Sequence, residues 1–183
     1  MKLNIKNINT IIQEDAEPNV STTPAEKKSF FGVLVIFVSV ITILINLFVF
    51  QLAKVNGNSM LPTLEDKEVL LLYKLNPKIE RGDIIVFRQN DGILIKRVIG
   101  LPGETITIDN DSIEINGEKI EDYIKVTVQN GGGLSEPYEI KEGEYICLGD
   151  NRNNSHDSRA FGAVKEEDVI GIVLFRFNPF TKY

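Results

Sequence analysis

The chain has 183 residues, 43% of them hydrophobic and 25% charged, with a formal net charge of −6. Such a composition belongs to a folded protein of about one domain and excludes a wholly disordered chain. The acid excess argues against nucleic-acid binding, one cysteine excludes an intrachain disulfide, and one histidine excludes zinc sites built from several His or Cys ligands.

A carboxylate-only site for Mg²⁺ or Ca²⁺ stays open, but no loop has EF-hand spacing, and neither a metal nor another cofactor is assigned. Met1 to Ser29 is polar, with Pro18, Pro24, several acids and a Ser-Thr-Thr run, and predicts a flexible tail. Phe30 to Ala53 carries no charge; its clearly polar residues are Ser39, Thr42, Asn46 and Gln51. A helix over this run would be roughly 36 Å long, enough to cross a hydrocarbon core of about 30 Å. The run is too long for the core of a cleaved signal peptide. It also lacks a small-x-small site after it, since Gln51 stands before Leu52-Ala53. A retained signal anchor over residues 30–53 is therefore expected. Lys27 and Lys28 precede the span, and only Lys54 follows closely, which places the N-terminus in the cytoplasm and residues 54–183 outside it.

From Lys54 onward the period is mostly two. Val69 to Tyr73, Ile84 to Phe87, Ile93 to Ile95, Thr105 to Ile108, Ser112 to Ile115, Tyr145 to Leu148 and Val169 to Phe177 predict strands. Asn116-Gly117 signals a tight hairpin, Asp109 to Asp111 another turn, and Gly131 to Gly133 a loop. Single helical turns are expected at Pro62 to Lys67 and Lys165 to Asp168, with no sustained helix. The fold class is mainly β: an antiparallel coiled sheet or small barrel behind one N-terminal transmembrane helix. Cys147, in an apolar strand, is expected in the core.

Three segments carry chemistry. In GNSMLPTL (Gly57 to Leu64), Ser59 lies near a turn before Pro62, where a hydroxyl can be presented. In IKRVIGLPGE (Ile95 to Glu104), Lys96 is set among Ile93, Leu94, Ile95, Val98 and Ile99. Such a lysine either points to water from an edge strand or sits in an apolar pocket. In the second case burial lowers its pKa from about 10.4, and a neutral amine can take a proton from a serine hydroxyl. The loop GDNRNNSHDSRAFG (Gly149 to Gly162) alternates charge and hydroxyls, as a shell that orients an amine would.

SMLPT, RGDIIVF (Arg81 to Phe87), KRVIGLPGE and GDNRNNSHDSRAFG, in that order behind an N-terminal anchor, resemble the four boxes of the bacterial type I signal peptidases. These are membrane-bound Ser/Lys proteases. The single anchor and a short β insertion at about residues 105–144 are similar to the Gram-positive form. The resemblance implies the signal-peptidase fold and cleavage of signal peptides from exported preproteins after small residues, at Ala-x-Ala sites. It implies Ser59 as nucleophile and Lys96 as general base. Ser155 would hydrogen-bond the Lys96 amine, Asp157 would pair with Arg159, and Asp150 with Arg97. Met60 would pack beside the site, and the Ser59 N–H would serve an oxyanion. The Gram-negative form has a second serine two residues before the nucleophile; here that position is Gly57, and the second donor stays open. Val55, Asn58, Leu94 and Ile95 would meet the substrate. The lipid bilayer and the export machinery follow as partners, with the cell membrane as location.

Three other readings are weighed. A Ser-His-Asp triad would need His156, the single histidine. A self-cleaving repressor would carry a DNA-binding domain where this chain has an apolar span. An inactive membrane-anchored β protein that binds exported chains would not need both Ser59 and Lys96.

Overall fold

The computed structural model describes residues 24–90, 92–109, 112–121 and 132–177. The turn expected at Asn110-Asp111, Gly131, and most of the polar tail lie outside these residues. The chain divides into two units, Met1–Leu44 and Ile45–Tyr183.

Helix α1 runs Pro24–Val49. Its stretch Phe30–Val49 is long and apolar enough to cross a membrane, and its large side chains are exposed, from Phe30 at 73% to Phe48 at 72%. A helix that is apolar all round needs an apolar surrounding. The polar residues inside it fit that setting. Ser39 Oγ donates to the Val35 carbonyl at 2.8 Å and Thr42 Oγ1 to the Val38 carbonyl at 2.9 Å, so both hydroxyls are satisfied within the helix. The helix ends four residues earlier than the apolar run predicts. Phe50–Lys54 is strand β1, paired along its length with β2 (Val69–Tyr73), from Phe50 opposite Tyr73 to Lys54 opposite Val69. The Val49 carbonyl already accepts the Lys74 N–H at 2.9 Å. Hydropathy does not separate a lipid-facing helix from an apolar strand; the open edge of β2 decides where one becomes the other.

The main sheet has seven antiparallel strands in the order β1-β2-β11-β3-β4-β9-β10. The remaining five strands are β3 (Ile84–Gln89), β4 (Gly92–Gly100), β9 (Glu144–Leu148), β10 (Val164–Lys165) and β11 (Val169–Phe177). Its ladder ends at β1 and β10, an open sheet in its pairing. A second sheet, β7-β6-β5-β8, joins β5 (Thr105–Asp109), β6 (Ser112–Ile115), β7 (Glu118–Lys119) and β8 (Tyr138–Glu139). Asn116 and Gly117, at φ 53° and 80°, turn β6 into β7; two successive positive φ values make this the turn that matches strand twist.

Period two decides what is buried. In β2, Leu70 and Leu72 are fully buried and alternate with half-buried Val69, Leu71 and Tyr73. Leu70 and Leu72 join Val55, Met60, Leu64 and Val86 in one core cluster. A second gathers Ile85, Phe87, Val98 and the reduced, buried Cys147. A third, with Ile99, Ile106, Ile108, Ile113, Ile146 and Leu148, packs the two sheets together. Truncating a side chain such as Leu70 to Ala would cost about 2–5 kcal/mol.

Helical structure after β1 is small but present. Helix α2 spans Ser158–Phe161, and 3-10 turns occupy Gly132–Leu134, Arg152–Asn154 and Glu166–Asp168. The last agrees with the turn expected at residues 165–168. The four-residue α2 was not anticipated, because one helical turn gives no periodic signal. Its cap is legible afterwards: Asp157, at the N-cap, accepts the Arg159 N–H. Pro62 to Lys67 forms turns but no helix, with the Leu64 N–H on the Met60 carbonyl at 2.9 Å.

Candidate active site

Ser59 lies on the loop between β1 and β2. The base of this loop is stitched by Val55 N–H to the Glu68 carbonyl (2.8 Å) and Lys67 N–H to the Val55 carbonyl (3.0 Å). Gly57 N–H is held by Asp66 Oδ1 at 2.9 Å. Val55, Met60 and Leu64 sink into the core below, Met60 at 1% exposure. The residue after Ser59 is thus an anchor, while Ser59 stays half-buried at the surface of the loop.

Lys96 lies on β4 and is 2% exposed. Gly92–Lys96 pair with β3 alone, whereas Arg97, Val98 and Gly100 have partners in β9. Lys96 is therefore the last residue on the open side of its strand, and its Nζ lies 2.7 Å from Ser59 Oγ. Burial lowers its pKa below the ordinary lysine range; Asp157, Cys147 and Asp150 pull the other way without reversing the shift. The same burial raises the Cys147 thiol well above its usual value, so that it stays neutral.

The Gly149–Gly162 loop surrounds this pair. Arg97, next to Lys96, forks onto Asp150 through Nε (2.8 Å) and NH2 (2.6 Å), and its NH1 donates to the Gly82 carbonyl at 2.8 Å. Arg159 forks onto Asp157 through Nε and NH2, both at 2.8 Å. Burial alone would raise the Asp157 carboxyl. Its bonds with Arg159 and the Gly149 N–H win, and it is held below the usual carboxylate range. Both carboxylates are fully buried, where an unpaired charge would be costly.

Ser155 departs from expectation. Its Oγ is buried, with no hydrogen-bond partner of ordinary geometry, although it lies near enough to Asp157 to favour that carboxylate. The bond expected from Ser155 to the Lys96 amine is not made; the amine's hydrogen-bond partner is Ser59 Oγ. Ser155 rests over Gly149, where a Cβ would stand 2.6 Å from the Ser59 carbonyl oxygen. Only glycine lets the loop come this close to the Ser59 backbone. His156 is exposed, with its ring 5.4 Å from that of Phe161, and it hydrogen-bonds neither Ser59 nor Lys96. The triad reading therefore has no base.

A groove of about 380 Å³ opens beside Ser59 and Lys96. Residues 51–57 and Met60 form one wall, Ile93, Leu94 and Ile95 the other, and Leu72, Val86 and Ile170 the floor. Val55, Leu94 and Ile95 line it, but Asn58 does not: its carbonyl is turned towards Asn151, which donates from Nδ2 at 3.0 Å. The floor residues come from β2, β3 and β11, and no local motif marks them. Among the described residues no group of His, Cys, Asp or Glu could hold a metal ion.

The family model of signal peptidase, peptidase S26, matches residues 28–178. The chain belongs to this signal peptidase family. Signal peptidase I of Leptolyngbya laminosa is 36% identical over 183 residues, covering 91% of this chain and 88% of its own. Signal peptidase IB of Staphylococcus aureus strain Mu50 is 33% identical, over 79% of this chain and 86% of its own. A solved signal peptidase I from Enterococcus faecalis V583 aligns at 34% identity over 54% of this chain and 98% of its own, with a TM-score of 0.44. The repressor reading falls with this assignment, and the chain is a hydrolase of the type I signal peptidase kind.

Proposed function

We propose that this signal peptidase cleaves exported preproteins with Ser59 as nucleophile and Lys96 as general base. The observation that carries the reading is the 2.7 Å contact between Lys96 Nζ and Ser59 Oγ at the end of an apolar groove, with the amine desolvated. A neutral Lys96 takes the Ser59 hydroxyl proton as Oγ attacks the scissile carbonyl, whose π electrons move onto its oxygen. Collapse breaks the C–N bond, and Lys96 returns the proton to the leaving amine. An ester remains on Ser59; water, deprotonated by the same amine, releases the signal peptide. Asp150–Arg97 and Asp157–Arg159 hold the loop and strand around the base, and Ser155 lies at their edge. One oxyanion donor is the Ser59 N–H, worth about 3 kcal/mol in the transition state. Gly57 N–H is committed to Asp66, so it is not the second.

The substrate lies extended in the groove, adding itself to the open edge of β4 at Ile93–Ile95. Alternate residues of such a peptide face one way, so the −1 and −3 side chains enter the apolar floor together, beside Val55, Leu94 and Ile95. The outward face of β1, β2 and β11 aligns Leu52, Leu71 and Phe175 in one row and Lys54, Val69 and Phe177 in another. Leu52, Phe175 and Phe177 are more than half exposed. An apolar face of this kind suits a lipid surface. In this reading α1 anchors the chain in the cell membrane with Lys27 and Lys28 on the cytoplasmic side. Residues 54–183 then work outside the cytoplasm, where the export machinery delivers preproteins.

The test uses the full-length protein in detergent with a preprotein bearing an Ala-x-Ala site. Wild type should cut at that site, and Ser59→Ala and Lys96→Ala should each lose at least about 1,000-fold in kcat. Retained cleavage by either variant rejects the dyad. A folded wild type that binds the preprotein without cutting it makes the chain an inactive binder.

A further inference from the structure

An asparagine ahead of a helical turn ordinarily caps it. Asn151 stands at the N-cap of the 3-10 turn Arg152–Asn154, yet its side chain makes no capping bond. It reaches instead to a residue far away in sequence, donating from Nδ2 to the Asn58 carbonyl at 3.0 Å. The acceptor is a carbonyl, so the amide must present its NH₂ side. The backbone N–H of Asn151 meanwhile donates to the Ser59 carbonyl at 2.9 Å. One residue thus holds the peptide planes on both sides of the Ser59 Cα.

We infer that Asn151 is a positioning residue that orients the Asn58–Ser59 peptide so that the Ser59 N–H faces the substrate carbonyl oxygen. The inference rests on Ser59 acting as the nucleophile. The Asn58–Ser59 peptide is trans, so its C=O and N–H point in opposite directions. Asn151 Nδ2, helped by the Leu61 N–H at 3.3 Å, draws the carbonyl to one side. The N–H is thereby turned away from the Gly149–Gly162 loop, and among the described residues it has no protein acceptor. The neighbouring Asp150 grips Arg97, beside Lys96. Two consecutive residues therefore set the nucleophile's backbone and the base's strand from one loop.

Donors aimed at a developing oxyanion act mainly in the transition state. Loss of the Asn151 amide should therefore lower turnover and leave ground-state binding alone. The full-length protein in detergent is assayed as wild type, Ser59→Ala, Asn151→Ala and Asn151→Asp. The Asp variant keeps side-chain shape and the backbone bond but sets a carboxylate oxygen against the Asn58 carbonyl. It carries the test if Asn151→Ala lowers the Tm. Both variants should lose about 10- to 100-fold in kcat with KM within about threefold, and in Asn151→Ala, which adds no charge near Lys96, the alkaline rise of the pH profile should stay in place. A peptide aldehyde ending in Ala, to whose carbonyl carbon Ser59 Oγ adds to give a hemiacetal oxygen, should bind the variants more weakly in step with kcat. The matching peptide alcohol, which forms no such oxygen, should bind as before. Wild-type kcat in either folded variant, or parallel weakening of aldehyde and alcohol, overturns the inference. Absence of cleavage by wild type would instead remove the proposed function beneath it.

Discussion

Lys96 bears opposite demands from stability and chemistry. Unfolded, its amine titrates near 10.4; folded, burial holds the pKa lower. Between the folded value and 10.4 the unfolded chain carries the extra proton, so stability rises with pH across that window. Below the folded value the full cost of burying the charge is felt. Lys96→Met should therefore abolish cleavage yet raise the Tm, by an amount that shrinks as pH approaches 10.4; thermal melts across pH check this. Wild-type kcat/KM should rise with pH along a limb centred below the free lysine range. A limb at the ordinary value would mean that the amine is solvated in the working enzyme. Sequence alone leaves this residue between an edge lysine in water and a buried amine, because both look like one cation in an apolar strand. The contact that separates them is made by Ser59, on another element.

Among the elements, β4 carries most of the site. It is paired on both sides near Gly100 and on one side only from Gly92 to Lys96, so the same strand supplies a core wall and an open edge beside Ser59. Ile95 is half-buried on the groove wall, packed against the cluster that holds Met60. Ile95→Phe should reduce kcat/KM on an Ala-x-Ala preprotein by roughly tenfold or more, and Ile95→Ala should admit Val or Leu at −3. Cleavage profiles over a set of −3 variants read both effects, and unchanged profiles place the −3 side chain elsewhere. The strands themselves were legible, since alternation over Val69–Tyr73 or Thr105–Ile108 records which face is buried. The partners were not: β11, last in sequence, lies between β2 and β3, and pairing across that distance leaves no mark in a local window. Asn58 stands outside the groove lining, which a local window does not show either. Its neighbour Ser59 faces the site, but its own carbonyl faces Asn151.

In the whole molecule, the apolar run is shared between two environments. Phe30–Val49 is helix exposed on all sides, while Phe50–Lys54 is a sheet strand whose residues from Gln51 onward line the groove. A chain beginning at Phe50 should be released from membranes by alkaline carbonate, as full-length protein is not, and should still cut a soluble Ala-x-Ala peptide. A chain beginning at Val55 lacks β1, and should lose both cleavage and several degrees of Tm. Membrane fractionation, peptide cleavage and melting distinguish the two. Equal behaviour of the two truncations would mean that β1 does not complete the groove.

The apolar span, the β class, the order of the motif boxes and the family are legible in the chain before it folds, because hydropathy, period and local motifs are properties of contiguous residues. Tertiary structure decided where helix gives way to strand, that the Lys96 amine meets Ser59 and not Ser155, that His156 bonds neither of them, and that Asn151 holds the backbone on both sides of Ser59. Each of these depends on which distant element supplies a hydrogen bond or excludes water. That is settled only when the strands close around a common core.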